Sequence, residues 1–171
     1  MPKPPHSCEK PLLFVDIDGV ISLFGFASDT RPAGRWFNVD GMLHFLSATA
    51  GEHLLRLAGD FELAWCSGWE DRANDLLPHV LGLPTGLPFL TFGRPMGQQS
   101  SHGHWKVPAV DAYAGARPLA WIDDALNDAC YDWARGRPAP TLLVPTDPPT
   151  GLTEVHVEQL ERWARDLPGR T

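Results

Sequence analysis

The stretch Leu12–Ile21, LLFVDIDGVI, decides the fold. Its first four residues, Leu12 to Val15, are apolar without a polar break. That is the pattern of a strand buried on both faces of a parallel sheet. Two aspartates follow, Asp16 and Asp18, one residue apart and directly ahead of Gly19. Paired carboxylates at a strand end are costly unless something binds them, so the rest of the chain must supply their partners.

Reading outward, residues 19–41 are rich in Gly, Phe and turn formers and are expected to form a short hairpin or flap insert over the end of the first strand. TAGEHLLRLAGD reads as a helix, with Thr49 and Glu52 at capping-box spacing and Gly59 as its stop. FELAWCS is expected to be a strand and GWEDRANDLLPHVLGLP a helix ending near Pro78. LPFLTF reads as a third, short strand, and GRPMGQQSSHGH as an exposed loop. VPAVDAYAG is expected to be a helix with Pro108 in its first turn, PLAWIDD a strand, ALNDACYDWARG a helix and APTLLVPTD a strand. Thr153 is placed to cap a closing helix in which Val155, Leu160, Trp163, Ala164 and Leu167 share a face. Strands and helices alternate throughout, which predicts an α/β fold with a mainly parallel sheet.

Bulk properties narrow the setting. A chain of 171 residues suits one domain, with residues 1–10 (Pro-rich and polar) as a tail. The net charge of −7 and pI of about 5.4 provide no global basic field to recruit nucleic acid. Cys8, Cys66 and Cys130 are odd in number and scattered, which argues against a disulfide framework or a structural zinc site. No apolar run approaches the roughly 20 residues of a membrane span. The N-terminus has no signal-like apolar region, so a reduced cytoplasmic location is expected.

Ligands of open α/β sheets sit beyond the carboxyl ends of the strands. Three strands here end in residues suited to chemistry: Asp16-Ile17-Asp18-Gly19, Cys66-Ser67-Gly68 and Asp123-Asp124. If those strands are neighbours, up to four carboxylates converge, and they cannot all stay ionised without a cation. Hard oxygen ligands favour Mg²⁺, which commonly bridges to a substrate phosphate. One carboxylate in such a cluster can attack an electrophile, and Ser67 offers a hydroxyl to a phosphate oxygen. The charge on both would call for a lysine. Lys106 is the one lysine beyond the first ten residues, and it stands just before a helix.

These pieces, in this order, resemble the haloacid dehalogenase (HAD) superfamily: DxDGV after an apolar strand, a serine after a second, a lysine before a helix, then acids after a further strand. The resemblance implies a three-layer Rossmann-like fold and phosphatase activity. Asp16 would be the nucleophile and Asp18 the general acid and base. Ser67 would bind phosphate and Lys106 would balance charge. Mg²⁺ would be held by the Asp16 carboxylate, the Asp18 backbone carbonyl and an acid of the 123–128 segment. The family's acidic motif occurs as an adjacent pair or with a further aspartate four positions on. WIDDALND satisfies both, so Asp123 and Asp124 are the metal candidates and Asp128 is either a supporting group or a first-turn helix acid.

The gaps between Asp18, Ser67 and Lys106 are too short for the cap domains of larger relatives, so the chain looks like a capless member. Capless sites resemble those acting on phosphorylated macromolecules, including nucleic-acid ends. AWCSGWEDRAN, LGLP and LLVPTDPPTGLT are similar to small HAD domains that accompany RNA-repair proteins. Gly19, Gly68, Trp69 and Arg94 are candidates for substrate contact. Arg31, Arg35, Gln98, Gln99, His102 and His104 are candidates for the mouth of the site, and Trp36, Phe37, Trp69 and Trp105 can stack on a base or sugar. The alternatives are a HAD-fold binding module of weak activity and a phosphatase of nucleotides or sugar phosphates. Carbon–halogen hydrolysis is disfavoured by Asp18, an acid that a halide leaving group does not need.

Overall fold

The computed structural model describes residues 9–93 and 104–169. Arg94, Gln98, Gln99, His102, Cys8 and most of the N-terminal tail therefore lie outside the described residues. Among the described residues, seven strands run β1 (Leu12–Val15), β2 (Ser22–Leu23), β3 (Gly34–Val39), β4 (Met42–Ser47), β5 (Glu62–Trp65), β6 (Leu119–Asp123) and β7 (Thr141–Pro145). The helices are α1 (Ala50–Leu57), α2 (Ala73–Leu81), α3 (Val107–Ala114), α4 (Asp128–Gly136) and α5 (Glu154–Arg165).

The fold is α/β, as the alternation predicts. β5, β1, β6 and β7 form a four-stranded sheet in that order, and every pairing is parallel. Side-chain alternation divides the core between the two faces of this sheet. Leu13 and Val15 point into a cluster with Leu54 and Leu57 of α1, Leu77 of α2 and Val157 and Leu160 of α5. Leu12 and Phe14 point into the other, with Val110 of α3, Cys130 of α4 and Trp121. All four residues of β1 are at most 1% exposed, so the apolar run reports burial on both faces.

A second, antiparallel sheet, β2-β4-β3, forms the insert after β1. Its hairpin turns at Asp40-Gly41, both with positive φ (51° and 84°), the requirement of a tight turn that follows strand twist. The hairpin reaches Ser47, past the residue-41 limit expected from sequence, because β4 supplies its second strand.

Local signals failed at four places. Thr49 precedes α1, but its backbone is already helical and its N–H donates to Ser47 Oγ at 3.3 Å. Ser47 thus takes the polar group, and the Thr49–Glu52 box does not form. α2 does not end at Pro78; it continues to Leu81 and stops at Gly82, whose φ of 70° is left-handed. Proline within it removes one backbone hydrogen bond, which the burial of Pro78 and Leu81 offsets. LPFLTF is no strand but a single bridge, Phe89 beside Trp65, at the sheet edge. Val155 is 69% exposed and Val157 takes its place on the buried face of α5, where Leu160, Ala164 and, just past its last turn, Leu167 lie as expected. No helix among the described residues is long and apolar enough to cross a membrane.

Candidate active site

Strand order explains why the acids meet. From β1 the chain moves to one side, to β5, and then returns across β1 to β6 and β7. The connections leave β1 and β6 in opposite directions, so the crevice of this open sheet lies beyond their carboxyl ends. Register completes the placement. Val15 is level with Ile122, so Asp16, which follows β1, stands beside Asp123, the last residue of β6. The Asp16 N–H donates to the Ile122 carbonyl at 3.0 Å and locks that level. By alternation both aspartates continue the α3 face of the sheet, where Lys106 caps α3.

Lys106 Nζ lies 2.6 Å from Asp123 Oδ2 and 3.0 Å from Asp16 Oδ1. All three residues are buried, Asp123 completely. The other oxygen of Asp123 accepts the N–H of Ala125 at 2.9 Å, so each carboxylate oxygen has one partner and keeps a lone pair for a further ligand. Asp124 completes the cluster: one ligand oxygen from each of Asp16, Asp123 and Asp124 can be chosen so that all lie within 4.8 Å of one another. Three carboxylates face a single ammonium here, and the excess negative charge is unstable in a buried place. A divalent cation with hard oxygen ligands would neutralise it, and the donor set fits such an ion.

Electrostatics follow from this crowding. Burial pushes the Asp16 carboxyl up to about 7 against the opposing pull of Lys106, and the neighbouring Asp123 charge pushes the same way as burial. Burial works against the Lys106 ammonium, yet Asp16 and Asp123 outweigh it and hold the proton more firmly than usual. Asp124 is raised by partial burial and then by Asp123.

Asp18 has a different environment. Its side chain is half exposed and does not belong to the cluster of three. The indole Nε1 of Trp69 donates to Asp18 Oδ2 at 3.1 Å, and His44 Nδ1 stands 3.6 Å from Oδ1. Ser22 Oγ lies 2.9 Å from the same His44 nitrogen, and the His44 and Trp69 rings meet edge to face at 4.7 Å. One carboxylate of the motif is therefore clamped and dry, while the other is held by two rings at the solvent edge.

Ser67 follows β5, next to β1, and is buried; its hydroxyl oxygen accepts the Trp69 N–H at 3.3 Å. Gly68 is exposed at the following position. Gly19 has a φ of 75°, and a Cβ there would fall 2.4 Å from Asp124 Cγ, so only glycine fits beneath Asp124. Asp128 begins α4, exposed, outside the carboxylate cluster and suited to the helix dipole. Cys66 is wholly buried, and burial pushes its thiol well above the ordinary value, so it packs as a small apolar side chain. His104 is buried between Trp105 and Trp121, and its Nδ1 accepts the Lys106 N–H at 3.3 Å.

Two participants escaped the sequence reading. Thr146, just after β7, donates its hydroxyl to the Gly19 carbonyl at 2.9 Å, and its N–H donates to the Asp123 carbonyl at 3.2 Å. It ties the DxDG turn to the end of β6. The strand-end rule that points to Ser67 applies equally to Thr146 and Asp147 after β7. His44 had no such signal, because its pairing with Asp18 depends on how the hairpin folds back.

Neither a scan of protein-family models nor a search of curated proteins finds a match to this chain.

Proposed function

We propose that the protein is a Mg²⁺-dependent phosphomonoester hydrolase of the HAD type, acting through an aspartyl-phosphate on Asp16. The observation that carries this reading is the contact of Lys106 Nζ with both Asp16 and Asp123 inside a cluster of three carboxylates. An ammonium in that place balances charge on a nucleophile and on an incoming dianion, and the spare carboxylates await a cation. Asp16, with Asp123 or Asp124 and the Asp18 backbone carbonyl, would hold Mg²⁺, which when bound would neutralise phosphate oxygens and orient them.

The chain's own groups divide the work. A carboxylate oxygen of Asp16 attacks phosphorus, the ester P–O bond breaks, and Asp18 gives its proton to the departing oxygen. Asp18 then takes a proton from a water that attacks phosphorus. The bond to Asp16 breaks, and inorganic phosphate leaves. The environments favour this assignment over its reverse. Asp16 is fixed by Lys106, as a nucleophile needs, whereas Asp18 is solvent-facing and held by Trp69 and His44, as a proton carrier needs. Ser67 would donate to a phosphate oxygen. Cavities of about 570 and 530 Å³ are both lined in part by Asp18, which suits an ester whose body extends beyond the site, such as a phosphorylated nucleic-acid end.

The test is phosphate release with Mg²⁺ from a panel of nucleotides, 3′- and 5′-phosphorylated oligonucleotides and sugar phosphates. Wild type should turn over at least one member and Asp16→Asn none. Release by Asp16→Asn at the wild-type rate would remove the nucleophile assignment. Inertness of the wild type toward the whole panel would favour a binding module.

A further inference from the structure

The two cavities beside Asp18 differ in chemistry. One lies toward Gly68 and Trp69, and its charged residues Arg72 and Asp40 pair with each other at 3.1 Å. The other, of about 570 Å³, lies between the loop after β2 and the β3–β4 hairpin. Its walls include Phe24, Phe26, Trp36, Leu43 and Phe45, and Asp18 and His44 line it as well. The volume is within the usual range for a small-molecule site.

The walls are built rather than incidental. Phe26 and Phe45 are 4.9 Å apart between ring centres, and Trp36 meets Phe45 edge to face at 5.2 Å. Phe45 is 2% exposed and anchors the group, while Phe24, Trp36 and Leu43 are 49, 53 and 65% exposed. Those three apolar side chains leave water only if something enters between them. Arg31 also lines this cavity and has no carboxylate partner among the described residues. Aromatic walls with an unpaired guanidinium select a flat ring that carries a negative charge.

Resting on the phosphatase reading, we propose that this cavity is the leaving-group subsite, and that the substrate is a phosphomonoester whose leaving group is an aromatic ring bearing a further anionic group. The ring lies among Phe24, Phe26, Trp36 and Leu43, its anion meets Arg31, and the ester oxygen comes to Asp18. The cavity shares Asp18 with the reacting centre, so an occupant would place its scissile oxygen beside the acid that must protonate it.

Three esters test this: 6-carboxy-2-naphthyl phosphate, 2-naphthyl phosphate and glycerol 2-phosphate, each with Mg²⁺. KM should be lowest for the carboxynaphthyl ester and highest for the glycerol ester. Trp36→Ala and Leu43→Asn, on the exposed hairpin, should raise KM for both naphthyl esters about tenfold and leave glycerol 2-phosphate unchanged. Arg31→Ala should raise KM for the carboxynaphthyl ester alone. Hydrolysis of all three with equal KM, or variants that shift glycerol 2-phosphate equally, would overturn the subsite while leaving the phosphatase reading intact. Calorimetry with the unreactive 2-naphthylmethylphosphonate separates the two ideas. If no ester is hydrolysed but this probe binds and Trp36→Ala weakens it about tenfold, the aromatic subsite stands and the phosphatase reading falls. Absence of binding by wild type would overturn the subsite.

Discussion

Gly19 and Asp124 occupy one space: a methyl group on Gly19 would overlap the Asp124 carboxyl at 2.4 Å. The turn that ends the DxDG motif is thus the floor under an acid contributed by another strand. Gly19→Ala should cost stability through both its φ of 75° and this overlap, about 1 kcal/mol from the backbone alone. It should also weaken Mg²⁺ binding by displacing Asp124. Calorimetric titration with Mg²⁺ beside a denaturation curve checks both. Unchanged affinity would mean that Asp124 is not a ligand.

Lys106 supports two buried carboxylates at once, so Lys106→Met should do more than remove a charge. Breaking a buried ion pair while its partner stays costs about 3–5 kcal/mol. Urea denaturation should show a loss of this order in metal-free buffer, and Mg²⁺ should recover part of it by taking over the neutralisation. A variant as stable as wild type without metal would contradict the role of Lys106 as counter-ion.

The raised Asp16 pKa of about 7 sets a pH dependence. In metal-free protein the folded state holds the Asp16 proton more tightly than the unfolded chain. This group's contribution to stability is therefore complete below about pH 3.8 and is lost as pH rises through about 7. Metal binding requires the ionised form, so its dependence has the opposite sign. At a hundred times its Kd, Mg²⁺ should add about 2.7 kcal/mol. At one fixed concentration the gain in Tm should be larger at pH 8 than at pH 6. Asp123→Asn should diminish the gain at both. An equal Mg²⁺ effect at both pH values would show that Asp16 is not a ligand.

Away from the site, Arg56 of α1 donates its Nε and one terminal nitrogen to the Glu161 carboxylate of α5 at 2.6 and 2.7 Å. The hydrogen bonds from Arg56 hold the Glu161 carboxyl below its usual value. A lowered folded pKa means stability present above the unfolded value of about 4.5 and lost as pH falls through the folded one. Arg56→Ala should lower Tm at pH 7, and the difference from wild type should shrink in acid. A difference that is constant down to pH 3 would assign the effect to lost packing.

Much of the architecture is legible residue by residue. The unbroken run Leu12–Val15 reports a strand covered on both faces, and Asp16, Asp18, Ser67, Lys106, Asp123 and Asp124 are visible as polar residues at element ends. These signals are readable because burial and capping act within a few residues. Where a local signal met a tertiary one, the tertiary one prevailed. Ser47 replaced Glu52 beside Thr49, and packing carried α2 through Pro78.

What the sequence by itself determined is the order of elements and the set of polar residues at their ends. The tertiary structure decided which of those ends are neighbours. Placing β6 beside β1, level at Val15 and Ile122, brings Asp123 and Asp124 to Asp16 and lets Lys106 reach between them. The folding back of the β2-β4-β3 sheet likewise brings His44 and the aromatic cavity to Asp18. The physical reason is that hydrophobic periodicity records which face of an element is covered, but not by what. Strand order and register arise from contacts distant along the chain.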